Sequence, residues 1–353
     1  MRELRSFKAE DREWDHFKVS HILEEAVTAL KGGDHRHAAE LWEKAVSRNK
    51  REAEMSPDGL EVLLGLRRTD EAERIMLEWQ ARKPADPRYS LGLVHVANAK
   101  RDYAAAVTYA AAVRKRFPVH MEGYALGITA LRDAQRLPEA EALAEQGMRR
   151  FPQEVRMFME YAAIATAQQN LEAGLERWNT VRDRFNHPSG YGGAADILIK
   201  LGRYAEADEL LEAARFRYPI DDSIARGWAL CAQERGDTTE AIARWKRIAD
   251  RFPMHMISAL AAASALEKLG AADEALPVLQ EASERMRHDP RPLRDLGALQ
   301  LRLREFAGAV ETFARLRNAF PDHEAGYAGG AEALTGAGRL DEAEVVRSLP
   351  RIR

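Results

Sequence analysis

The chain has 353 residues, 46% of them hydrophobic and 31% charged, a balance that excludes a disordered polymer. Its 53 lysines and arginines against 56 acids leave a net charge of −3, without the basic excess of a dedicated nucleic-acid binder. One cysteine, Cys231, excludes a disulfide framework or a multi-thiolate zinc site and suits a reducing compartment. The leading stretch has no apolar core of a signal peptide, and no run of roughly 18 apolar residues occurs anywhere, so neither export nor a membrane span is expected.

Taken in chain order, residues 1–18 fit no later pattern. Phe7, Trp14 and Phe17 stand at helical spacing among mixed charges, which predicts a capping helix rather than a basic membrane-surface helix. From residue 19 a 34-residue period sets in, with units starting near 19, 53, 87, 121, 155, 188, 222, 256, 290 and 324 and a tail at 350–353. Two independent rulers carry it. Prolines mark Pro84, Pro118, Pro152, Pro219, Pro253 and Pro321, with Asn186 and Arg287 in the vacant slots. Small residues step through Ala38, Ala72, Ala106, Ala140, Gly174, Ala207, Ala241, Ala275, Ala309 and Ala343. Both rulers slip by one residue at the same place, between Asn186 and Pro219.

Each unit reads as two helices. In 222–253, Ile224, Trp228, Leu230 and Cys231 suit a first helix that stops at Gly236-Asp237. A second carries Ala241, Ile242, Trp245 and Ile248 and ends before Pro253, because proline cannot continue a helix. The recurrent alanine belongs where two helices cross, since a side chain longer than a methyl would force them apart. Atypical ends are expected of such an array, whose terminal units lack one neighbour.

These residues resemble the tetratricopeptide repeat (TPR) family over about 19–349. The family's small residue, Gly-Asp-Tyr, alanine, aromatic and alanine appear as Ala26, Gly33, Asp34, Ala38, Trp42 and Ala45. They recur as Ala195, Gly202, Arg203, Tyr204, Ala207, Leu211, Ala214 and Pro219. Tyr124, Tyr191 and Tyr327, each preceded by glycine, take the early aromatic slot. The second unit departs from the pattern at Ser56-Pro57 and Thr69, and Gly174 replaces the packing alanine. The resemblance implies an all-α fold, a right-handed superhelical solenoid of about ten helix-turn-helix units. It also implies that the first helices line a concave groove. The groove slots hold Arg88, His95, Asn98, Thr129, Arg132, Arg156, Arg226, Gln233 and Arg294, with Glu160, Asp196, Lys200 and Arg291 beside them. No three consecutive units reproduce the family's chaperone-tail clamp, so chaperone tails are not the expected ligand.

Other chemistry reads as structural. His120, His187, His255, His288 and His323 sit in turns a repeat apart, too far to share one ion. His35, His37 and Glu40, and Glu13 with His16, lack a second cluster, so no metal site is expected. Cys231 falls on a packing position, and Ser189-Gly-Tyr-Gly-Gly193 is repeat consensus rather than a phosphate cradle. Acids opening the second helices (Glu139, Glu206, Glu240) and bases closing them (Arg114, Arg182, Arg215, Arg247, Arg285, Arg315) complement the helix dipole.

The reading that follows is a non-enzymatic, cytoplasmic, bacterial-type scaffold without cofactor, binding a partner's protein or peptide segment, acidic in character, in its groove. The alternative is a regulatory or targeting subunit working with a separate enzyme such as a glycosyltransferase. RNA binding comes third, and the charge balance and period count against it, so no nucleic-acid partner is expected.

Overall fold

The computed structural model describes residues 19–31 and 33–349; the expected cap at 1–18 and tail at 350–353 lie outside the described residues. Among the described residues every regular element is an α-helix. Two compact units divide the chain, Met1–Ile197 and Leu198–Arg353. The first contains α1 (19–31), α2 (His35–Met55), α3 (Pro57–Gly65), α4 (Thr69–Arg82), α5 (Pro87–Ala99), α6 (Tyr103–Arg116), α7 (Glu122–Asp133), α8 (Leu137–Arg150), α9 (Val155–Ala167) and α10 (Leu171–Phe185). The division falls within α11 (Pro188–Lys200). The second holds α12 (Tyr204–Arg217), α13 (Asp222–Glu234), α14 (Thr238–Arg251), α15 (Met256–Lys268), α16 (Ala272–Arg285), α17 (Pro290–Arg302), α18 (Phe306–Ala319), α19 (Glu324–Gly336) and α20 (Leu340–Ser348). Within each unit, helices consecutive in the chain pack on one another, from α2 to α10 in the first and from α12 to α20 in the second, and further contacts join alternate helices, as in an α-solenoid.

The alanine ruler marks the helix crossings. Ala38, Ala72, Ala106, Ala140, Ala207, Ala241, Ala275, Ala309 and Ala343 are all fully buried. Two of the glycines of 189–193 are also crossing residues: a Cβ on Gly193 would stand 2.3 Å from the Trp178 ring, and one on Gly190 2.4 Å from the Arg182 backbone nitrogen.

A third period lies in the backbone. Between the two helices of each pair, one residue adopts a left-handed conformation: Gly33, Arg67, Arg101, Gln135 and Gln169, then Gly202, Gly236, Gly270, Arg304 and Gly338. The amide after it reaches back to a helix carbonyl, as in Arg136 N to Leu131 O (2.8 Å) and Asp237 N to Ala232 O (3.1 Å). The next helix is then opened by an aspartate or asparagine that accepts a backbone N–H (Asp34, Asp102, Asn170, Asp237). At four others an Arg–Glu pair stands at the opening: Arg68 with Glu71, Arg136 with Glu139, Arg203 with Glu206, Arg339 with Glu342.

One element departs from the expected pattern. The slot that carries proline in most units is Lys50 in the first, so α2 runs on to Met55, bent at Asn49 (φ −155°, ψ 89°). Ser56-Pro57 then breaks it, and the Ser56 hydroxyl accepts the Asp58 N–H to open α3. As a result α3 has nine residues where α5 has thirteen. The helix expected to start near residue 53 begins a turn late.

Candidate functional site

The late start of α3 opens a cavity. Two adjoining spaces, of 580 and 490 Å³, share Met55, Ser56, Pro57 and Arg88. The larger is walled by Leu60, Leu64, Met76, Tyr89 and Leu91, with His95 at its rim. Its lining is apolar because α3 and α5 turn core-type residues toward a gap that a longer α3 would fill. The sequence reading missed these wall residues. The signal was present in Lys50, where proline was due, and in the Ser56-Pro57 break.

The expected groove residues divide into engaged and unengaged groups. Arg88 forms a forked pair with Asp86, Nη2 to Oδ2 at 2.7 Å and Nε to Oδ1 at 3.0 Å, which holds that carboxyl below its ordinary range. Arg132 Nη1 donates to Glu160 Oε2 at 3.0 Å, and Thr129 Oγ1 reaches Glu160 Oε1 at 3.5 Å. Arg132 was expected to seek an acidic partner; Glu160, one repeat on, already supplies the carboxylate. Arg156 is exposed and, among the described residues, has no carboxylate at ion-pair distance. His95 is solvent-accessible, but it sits in a concavity; burial among the surrounding atoms, then the Arg156 charge, lowers its pKa. The structure thus brings His95 and Arg156 within electrostatic range. Asn98 Oδ1 is buried without a hydrogen-bond partner.

In the second unit the expected residues are engaged. Arg226 pairs with Asp222 at 2.9 Å and Arg294 with Asp295 at 2.7 Å. Gln233 Oε1 accepts the Trp245 indole N–H at 3.1 Å, which makes it a tie between α13 and α14.

Several helix-closing bases are more than dipole partners. Arg114 donates to Gly123 O across to α7 and stacks on Tyr124, and Arg317 donates to Gly326 O across to α19; burial lowers the pKa of both. Two further clusters repeat each other. In one, Arg177 bonds the Glu141 carboxylate and Tyr161 O, its guanidinium 3.6 Å from the Tyr161 ring centroid, while Gln168 donates to Glu141 at 2.9 Å. Two repeats on, Arg244 bonds the Asp208 carboxylate and Trp228 O, lies 4.2 Å from the Trp228 ring, and is joined by Arg235 on Asp208. Cys231 is fully buried against Tyr204 O, and burial raises its thiol pKa.

Among the described residues no helix is long and apolar enough to cross a membrane. Tetratricopeptide repeat family models match residues 193–242, 226–287 and 266–329. The helical pairs and these matches define the class: the chain is a tetratricopeptide repeat protein, and such repeats are in general protein–protein interaction scaffolds without catalytic function. No curated protein matches the sequence. Among solved structures, a tetratricopeptide repeat protein from Parabacteroides merdae is similar at TM-score 0.42 and 16% identity, over 70% of this chain and 98% of that one. The APC/C hetero-tetramer Cut9-Hcn1 gives 0.42 and 13%, over 88% of this chain and 62% of that one. Pseudomonas aeruginosa pilF gives 0.42 and 13%, over 58% and 93%.

Proposed function

We propose that the first unit binds an extended segment of a partner protein that seats an apolar side chain in the cavity beside α3 and a neighbouring carboxylate on Arg156. The observation that carries this reading is the cavity itself: an apolar space beside α3 and α5, left by a helix that starts a turn late, with a polar rim at Arg88 and His95. Arg156 supplies the adjacent charge, because Arg88 and Arg132 are already paired within the fold. A segment of this kind gains affinity from the buried anchor and selectivity from the carboxylate.

Affinity capture with mass spectrometry tests it. A partner recovered by the parent chain should be lost, at least tenfold, with Leu60→Gln and with Arg156→Glu, while Arg226→Glu in the second unit leaves recovery unchanged. Both groove variants should keep the parent's helical content, since partly exposed substitutions usually cost little. Equal recovery by all three variants would place the binding surface elsewhere.

A further inference from the structure

The second unit holds a cavity of different character, 290 Å³ in volume, formed by α12, α13, α14 and the turns that follow α12 and α14. Three arginines line it, Arg215, Arg247 and Arg251, together with Tyr218, Trp228 and Phe252. Asp221 is the one acid of the lining, and its Oδ1 is already engaged by Ser223 N (3.0 Å), Ile224 N (3.1 Å) and the Ser223 hydroxyl (2.5 Å) as the cap of α13. Arg215 donates to Glu212 at 3.1 Å. Arg247 and Arg251 are exposed and, among the described residues, have no carboxylate at ion-pair distance. Trp228 is 2% exposed, yet its indole Nε1 has no hydrogen-bond acceptor. The Arg215 and Arg247 guanidiniums stand 3.5 and 5.9 Å from its ring centroid.

The cavity therefore has a surplus of donors and of positive charge. Burial, and behind it the charges of Arg244 and Arg247, lowers the Arg215 pKa against the pull of Glu212, as expected of cations gathered without enough counter-charge. A carboxylate would bring one charge and two acceptor atoms. A phosphoryl group brings nearly two charges and three strong acceptor oxygens, which suits three guanidinium forks. We propose that this cavity binds a phosphoryl group, held by Arg215, Arg247 and Arg251 beside Trp228. The group has two sources, free phosphate or a phosphorylated side chain of a partner polypeptide. Phe216 and Ile220, 92% and 85% exposed, flank the lining residues in sequence and offer a polypeptide carrier apolar surface.

Calorimetric titration of the full chain with inorganic phosphate, and separately with acetyl-phosphoserine amide, decides it. Both probes should bind saturably, and Arg247→Gln with Arg251→Gln should weaken each at least tenfold with the helical content unchanged. Tighter binding of the phosphoserine amide than of inorganic phosphate supports the polypeptide source; equal or weaker binding supports free phosphate. The proposal is overturned if neither probe binds saturably, if parent and double variant bind alike, or if acetate at matched ionic strength competes as well as phosphate does. Leu60→Gln, at the cavity beside α3, should leave this titration unchanged, so the two binding readings fail independently.

Discussion

The cluster on Arg177 in the first unit and the cluster on Arg244 in the second use the same slots of the repeat and the same connections. In each, an arginine crosses to an acid of the preceding helix pair, caps an aromatic ring and donates to that residue's carbonyl. They differ in surroundings. Neutral Gln168 serves the acid in the first, whereas charged Arg235 does so in the second, where Glu240 also joins Arg244 at 2.8 Å. The Arg177 side chain is 16% exposed and that of Arg244 only 6%. Around Trp228, but not around Tyr161, two further arginines gather. The shared part is a packing lock. What lies outside the lock sets the character of each unit, apolar and gapped near α3 in the first, cationic near α13 in the second.

The largest effect that would break this comparison comes from removing each lock arginine. Arg244→Met leaves Glu240 without its partner and Asp208 with Arg235 alone, and should cost about 2–4 kcal/mol. Arg177→Met leaves a less buried acid still bonded to Gln168 and should cost about 1.5–3 kcal/mol. Urea unfolding of both variants measures the gap; equal losses would mean that burial does not separate the two locks.

A smaller effect concerns the left-handed turns. Four of the first unit's five turn residues carry side chains, Arg67, Arg101, Gln135 and Gln169, and four of the second unit's five are glycine. A Cβ in that conformation is disfavoured, so Gly236→Ala should destabilise by about 1 kcal/mol. The reverse change, Gln135→Gly, should stabilise by less, below about 1 kcal/mol, because glycine also loosens the unfolded chain. Thermal melts of the pair check the sign; a loss on Gln135→Gly would mean that the glutamine side chain, whose Nε2 lies 3.4 Å from Arg132 O, offsets the strain.

The smallest effect is a titration. The His95 pKa should lie below its ordinary 6.5, and Arg156→Gln should raise it part of the way back. NMR titration of the ring protons reads both, and no response to Arg156→Gln would remove His95 from the neighbourhood of that charge. With a depressed folded value, the unfolded chain binds the extra proton between that value and 6.5. The stability from neutral His95 is therefore present above 6.5 and fades as pH falls through the window.

Much of this was legible from spacing. Alanines at 34-residue steps become fully buried crossings because only helix pairs in register need a methyl there. The second unit's glycine turns Gly202, Gly236 and Gly270 lie inside the stretch matched by family models, whereas Arg67 through Gln169 lie outside it. The same backbone turn is thus written in residues that declare it in one unit and conceal it in the other. The α3 gap was hidden because it depends on an absent proline at Lys50. The arginine locks were hidden because Arg177 and Arg244 look like any solvated helix base until the acid one repeat earlier is placed against them. Arg132 misled for the same reason, its partner Glu160 lying on the next first helix.

The single thiol at Cys231 has a use beyond packing. It lies on α13, wholly enclosed, its sulfur 3.5 Å from Tyr204 O of α12, and burial disfavours the thiolate form that reacts. An alkylating reagent can reach it only when α13 swings clear of α12. With a reagent slow relative to reclosure, the labelling rate is the product of the intrinsic rate and the open fraction. The chain therefore carries a clock for the breathing of its second unit, placed one helix turn from the arginine-lined cavity, and anything that seats there and clamps α12 to α13 would slow it.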